Sequence, residues 1–395
     1  MNILIFNSLY YPYKVGGAEV SVQLLAESLV ANGHKVTIAT LHDEDSIKKE
    51  NINGVSIIRF PLRNLYWLNE KGQSSVKKML WHFFDIFNLA MYRLIEQEFK
   101  GNKFDIVHTN NLCGFSVAIW VWANKLNLPI VHTTRDYYLL NPNSTLFDGH
   151  RNTSPKELKA FLFSAAKKRM SIRVKELVGI SNYIADYHIN NGFFKHAGKT
   201  IIYNSVKNDA IKKRKNLEQK TTLGFIGRIE KAKGIESFLD ALVKSSTALN
   251  KIKIAGKGEP EYITYLKNKY ASLRLDFLGV VEPEKFYPGI DYLVVPSLWN
   301  EPLGRVVIEA YTYGVPVIGS NRGGITEIIS NGRTGFLFSV EKENSLVNII
   351  NSLPLSNSNS YDSLSKNAKI FSEKFSQQNV FNAYLEVYHR ASNII

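Results

Sequence analysis

Cysteine is almost missing. Cys113 stands alone among 395 residues, so no intrachain disulfide can form and a reducing compartment is expected. Long apolar runs are missing too. The richest, 114–123, is about half of the roughly 20 residues that a membrane span needs. The opening MNILIFNSLYYPY lacks a basic leading segment and reads as a strand, not a signal peptide. No internal repeat is evident. Aromatic ribonucleoprotein motifs and zinc-finger spacings are absent, so no nucleic-acid partner is expected. Acid is scarce: 35 Asp and Glu face 49 Lys and Arg, a formal charge of +14. That balance favours a phosphorylated substrate or an acidic membrane surface. The expected location is the cytoplasm, with the inner face of the cell membrane as the surface on which such a protein would rest.

What is present is alternation. A chain of 395 residues suits two domains. Strands are expected at 3–7, 35–40, 55–60, 105–109, 129–133, 176–180 and 200–203, with helical segments at 18–31, 75–99, 115–125, 156–173 and 182–190. A second series of strands follows at 223–227, 251–255, 276–279, 292–296, 315–319 and 335–338. Strand–helix alternation at this spacing means parallel sheets covered on both faces. The polar, charge-rich stretch between the series, with its basic run 212–215, reads as a solvated linker. The partition is therefore 1–205, a linker at 206–222, 223–375, and a final helical segment at 376–395.

The second half turns on PSLWNEPLGRVVIEAYTYGVPVIGSNRGGITE, from Pro296 to Glu327. Glu301 precedes the turn Pro302-Leu303-Gly304, and Glu309 lies inside the helix that starts there. The N–H groups near Leu303, Gly304 and Arg305 would be orphan donors of a helix start, suited to a diphosphate. Glu309 is placed to accept both hydroxyls of a ribose-like diol, and Glu301 to face what lies beyond the phosphate. Acids also favour first helical turns for their own sake, so the pair alone would not decide the matter. Its surroundings add to it. Glu-x7-Glu, then Gly314-x-Pro316, then Gly323-Gly324-x-x-Glu327 resembles the donor-site signature of glycosyltransferase family 4.

That resemblance implies the GT-B fold: two Rossmann-like, doubly wound parallel-sheet α/β domains facing across a cleft, with the last helix crossing back to the first domain. It implies a retaining glycosyltransferase that takes a nucleotide-diphospho-sugar mainly in the second domain and a glycan or lipid-linked acceptor in the first. Bacterial cell-surface polysaccharide synthesis is the expected setting. No side chain reads as a catalytic nucleophile, and the family's front-face mechanism needs none. The catalytic groups implied are Arg228 and Lys233 on the leaving diphosphate, with Glu301 orienting the donor sugar. Two cations at a strand's carboxyl end suit that task as a bidentate fork and a point charge.

The same resemblance places Gly16 and Gly17 in the glycine loop after the first strand, Gly256 near the nucleotide, and Val281 by the base. By themselves these are turn residues. Arg135-Asp136 stands where the family often has His-Asp. Arginine stays protonated, so Arg135 is read as binding an anionic group, either the diphosphate or a carboxylate on the donor sugar. His132 is read as buried and structural. The Asp-x-Asp in His42-Asp43-Glu44-Asp45 reads as a solvated acidic turn, so no metal or other cofactor is expected. Two stretches, 76–94 and 156–175, combine bases with aromatic or apolar residues. For the first, a membrane-surface helix and a core helix are both open. For the second, Lys167-Lys168-Arg169 beside Phe161, Leu162 and Phe163 favours membrane contact. Two alternatives stand beside the transferase: a GT-B enzyme of another class, such as a sugar-nucleotide epimerase or phosphorylase, and a non-enzymatic basic protein that binds membrane or nucleic acid.

Overall fold

The computed structural model describes residues 1–13, 16–68, 70, 72–206, 221–247 and 249–393. The chain forms two compact units. Unit 1 comprises Met1–Leu146, Thr153–Ser205 and Gln377–Ile395, and unit 2 comprises Phe147–Asn152 and Val206–Ser376. Six residues from the first half of the chain thus belong with the second unit. Most of the stretch read as a linker, 207–220 with its basic run, lies outside the described residues.

Unit 1 holds β1 (Asn2–Phe6), β2 (Lys35–His42), β3 (Lys48–Ile52), β4 (Val55–Pro61), β5 (Ile106–Thr109), β6 (Ile130–Thr134), β7 (Glu176–Gly179) and β8 (Gly198–Ile201). They form one sheet in the order β3-β4-β2-β1-β5-β6-β7-β8. Every pairing is parallel except β3 with β4. β1 sits where the strand order reverses, with Ile5 opposite Ile38 of β2 and His108 of β5. Its Ile3–Phe6 side chains are buried on both faces, as a covered parallel strand requires. β3, KKENI, was not expected. It is an edge strand with an exposed, charged sequence, the composition that keeps an edge from pairing further.

Helix Gly17–Ala31 and helix Gln377–Ser392 pack over the β1 region, with Val22, Leu25 and Leu29 in one cluster with Phe381, Tyr384 and Tyr388. Two hydroxyls fix the last helix to the sheet: Tyr388 bonds His108 Nδ1 at 2.8 Å and Tyr384 bonds Thr133 at 3.1 Å. The helix expected over 75–99 is two helices, Ser75–Phe84 and Leu89–Glu98. Asn88 breaks it by capping the second one, its side chain accepting from the Met91 N–H.

Unit 2 holds β9 (Thr221–Ile226), β10 (Leu249–Ala255), β11 (Leu275–Gly279), β12 (Tyr292–Val295), β13 (Val317–Ser320) and β14 (Gly335–Phe338). The order is β11-β10-β9-β12-β13-β14, parallel throughout. This is a doubly wound sheet whose order reverses between β9 and β12, where such sheets place ligands, beyond the carboxyl ends of the strands. Its core joins Leu223, Phe225 and Ile254 of the sheet to Phe238, Leu239 and Leu242 of helix Ile235–Lys244.

Candidate active site

In unit 2 the loops after β9, β12 and β13 close on one another through glycine. Gly234 has φ +69°, and a Cβ there would lie 1.8 Å from the Pro296 carbonyl oxygen. The Leu298 N–H donates to the Ala232 carbonyl at 2.9 Å. On the other side Gly323 has φ +55°, and its Cβ would lie 2.1 Å from the Glu301 oxygen. The Gly324 N–H donates to that oxygen at 2.8 Å. No residue with a side chain fits either approach, so these motif glycines are determined by packing as well as by turn geometry.

The loops bring Lys233 to Glu301, with Nζ 2.6 Å from Oε1. Ser297 Oγ donates to the same oxygen at 2.7 Å, and the Lys233 ammonium sits 5.1 Å from the centre of the Trp299 ring. Burial pushes the Glu301 carboxyl up. The Lys233 charge and the hydrogen bonds from Lys233 and Ser297 together outweigh it and hold the group below the ordinary glutamate value. Glu301 is therefore an anion with its cation in place. A segment that sequence reasoning missed steadies this loop: the Asn152 side chain donates to the Leu298 carbonyl at 3.0 Å and accepts from the Asn300 N–H at 2.9 Å. No motif marks Asn152.

Pro302 and Leu303 are buried and lead into Gly304, which caps helix Arg305–Thr312 in the left-handed region at φ +93°. Glu309, one turn inside, accepts from Arg305 Nε at 2.8 Å and from the Tyr287 hydroxyl at 3.1 Å. It is held, but a carboxylate has further acceptor capacity. Arg228 is exposed and pairs with Glu230 at 3.1 Å on its own loop. Gly256 packs its backbone on Gly227, its Cβ position being 1.7 Å from the Gly227 oxygen, which joins the loops after β9 and β10. Val281 follows β11, the edge strand.

In unit 1, Gly16 donates its N–H to Glu19 at 2.9 Å, and Gly17 opens helix Gly17–Ala31. Arg135 is buried after β6, donating from Nε to Asn110 at 2.8 Å and from Nη1 to Asn204 at 2.6 Å. Asp136 accepts from the Tyr138 N–H at 2.8 Å and from Asn111 at 3.0 Å, and burial pushes it up to about 6. His132 is buried, bonded to Thr109 at 2.9 Å and stacked on Phe194. Among the described residues no three His, Cys, Asp or Glu side chains group as metal ligands. In the acidic turn, Glu44 is paired with Lys48 and His42 bonds the Ser46 carbonyl.

One expectation is corrected here. Lys167 does not reach out with Lys168 and Arg169. Its ammonium lies 3.4 Å and 3.7 Å from the ring centres of Tyr138 and Phe163. The side chain is fully buried, and Phe163 is buried with it. Cation–π attraction and the nearby Asp85 compensate the lost hydration.

Two family descriptions match this chain: "Glycosyltransferase Family 4" over residues 15–209 and "Glycosyl transferases group 1" over residues 206–371. The chain belongs to the group 1 glycosyltransferases. A protein from the capsule (cps) region of Klebsiella pneumoniae is 42% identical over 83% of this chain and 87% of that one. An uncharacterized glycosyltransferase of Methanocaldococcus jannaschii is 28% identical over 85% of this chain and 84% of that one. Among solved structures, sucrose-phosphate synthase from Thermosynechococcus elongatus superposes with a TM-score of 0.78 at 19% identity, covering 98% of each chain. Anabaena HepE in complex with UDP gives 0.74 at 18% identity, covering 99% of this chain and 100% of that one. At such identities the structural likeness shows the fold, which is GT-B.

Proposed function

We propose that this glycosyltransferase moves a sugar, with retention of configuration, from a nucleotide-diphospho-sugar to a glycan or lipid-linked acceptor in bacterial capsule or related surface-polysaccharide synthesis. The observation that carries this reading is the Lys233–Glu301 pair at the reversal point of the unit 2 sheet, beside the capped start of helix Arg305–Thr312. Lys233 and Arg228 neutralise charge that grows on the departing diphosphate. The helix start adds backbone donors, and Glu309 takes the ribose hydroxyls. Glu301 accepts hydroxyls of the transferring sugar. The leaving phosphate takes the acceptor's proton, so neither a protein nucleophile nor a metal is needed. The capsule-region relative supports the setting, and the neighbours solved with UDP and UDP-glucose support a UDP-sugar donor. In unit 1, Arg135 binds an anionic group of the donor.

The test is product analysis by proton NMR. Sugar transferred with the donor's anomeric configuration supports the reading. Inverted product overturns retention. Epimerised donor or sugar phosphate formed without acceptor favours the epimerase or phosphorylase alternative.

A further inference from the structure

Unit 1 carries two helices that expose what helices usually bury. In Ser75–Phe84 the spacing i, i+3, i+4, i+7 places Val76, Met79, Leu80 and Phe83 in one outward row, with Met79 64% and Phe83 68% exposed. The opposite row, Lys78, Trp81 and His82, borders a cleft of ≈ 390 Å³ that Ser8, Glu19 and Asn111 also line. In Leu158–Met170 the outward row begins Leu158, Phe161 and Leu162, with Leu158 72% exposed. The two helices meet through His82 and Phe163, whose ring centres are 6.0 Å apart. Exposed apolar rows on neighbouring helices mark an interaction surface.

Charge selects the partner. Neither helix contains an acid, whereas Lys77, Lys159, Lys168 and Arg169 line or flank the two rows. No described helix is long and apolar enough to cross a membrane. Apolar rows flanked by lysine, on helices that lie flat, fit an anionic bilayer surface: side chains enter the acyl boundary and ammonium groups meet lipid phosphates. We infer that unit 1 docks on an anionic membrane through these two rows. The cleft then lies about one helix diameter, roughly 10–12 Å, from the lipid headgroups. This deepens the proposed function by favouring an acceptor carried in that membrane.

The test is flotation of the full chain with vesicles of phosphatidylcholine, with and without phosphatidylglycerol. Binding is expected to the anionic vesicles, weakening as salt is raised. Met79→Glu/Phe83→Glu and Leu158→Glu/Leu162→Glu should each lower the partition at least tenfold. These positions are exposed, so the melting temperature should hold. A Phe83→Trp variant should show fluorescence quenched by brominated lipid relative to the wild type. Three results overturn the inference: no flotation of the wild type, flotation unchanged in both double variants, or a wild-type dimer that the variants split while neither form binds vesicles. A protein that ignores vesicles yet is stabilised by a nucleoside diphosphate loses this inference alone, and the donor-site reading stands.

Discussion

Lys233→Ala removes the cation from a buried carboxylate. Glu301 is left with the Ser297 hydrogen bond as its main remaining compensation. Breaking a fully buried pair costs about 3–5 kcal/mol. Here a fifth of the Lys233 side chain is exposed, so water relieves part of the loss and we expect about 2–3 kcal/mol. For a body of this size, that lowers the melting temperature by roughly 4–12 °C. Adding Glu301→Gln discharges the orphaned group and should recover at least half of the drop. Turnover separates the two roles. If Lys233 serves the leaving diphosphate, Lys233→Ala and the double variant should both be slower by roughly 10²–10³, the range for loss of one preorganised charge-stabilising group. Thermal melts and initial rates on the four proteins of the cycle give both readouts. A Lys233→Ala melt within about 1 °C of wild type, or turnover restored in the double variant, would refute the reasoning.

Other outcomes follow from the same geometry. Gly323→Ala should cost about 2–4 kcal/mol and abolish the nucleotide-induced thermal shift, because its Cβ would sit 2.1 Å from the Glu301 oxygen. Arg135→His should change the preference between neutral and uronic donors, measured as a ratio of kcat/KM; an unchanged ratio removes the anion-binding role. Burial, opposed mainly by Asp85, pulls Lys167 down to about 7. Between pH 7 and its unfolded value near 10.5, the unfolded state binds more protons, so wild-type stability gains with rising pH. In Lys167→Met that gain should disappear, and parallel melting curves against pH would contradict it. For Glu301→Gln the slope has the same sign but falls in the acid range. Glu301 is held below its ordinary value, so its contribution is present at neutral pH and is lost as pH falls through the folded value. The variant's deficit should therefore shrink in acid.

Strands buried on both faces were legible because they are short apolar runs, and β14 falls at its expected bounds. Lys48–Ile52 was not legible: an edge strand protected by charge looks like a loop. The 75–99 segment kept its helical period through Asp85, but Asn88 offered a competing cap that only tertiary contacts select. Lys167 was misread because three adjacent bases look alike in sequence. One faces inward, and the helix is apolar on both sides, so no contrast marks the buried face. At the site, motif spacing located Lys233 and Glu301 but not their mutual ion pair, since 68 residues separate them. Nothing in the sequence announced Asn152.

The central claim is that the loops and helix start at the carboxyl edge of unit 2 hold a nucleoside diphosphate. Thermal shift with UDP, GDP and ADP on wild type and Glu309→Ala tests it most directly. At a hundredfold excess over Kd, one of the three should stabilise the wild type by about 2.7 kcal/mol, and Glu309→Ala should lose most of that shift. No response from the wild type to any of them, or an undiminished response in Glu309→Ala, would contradict it.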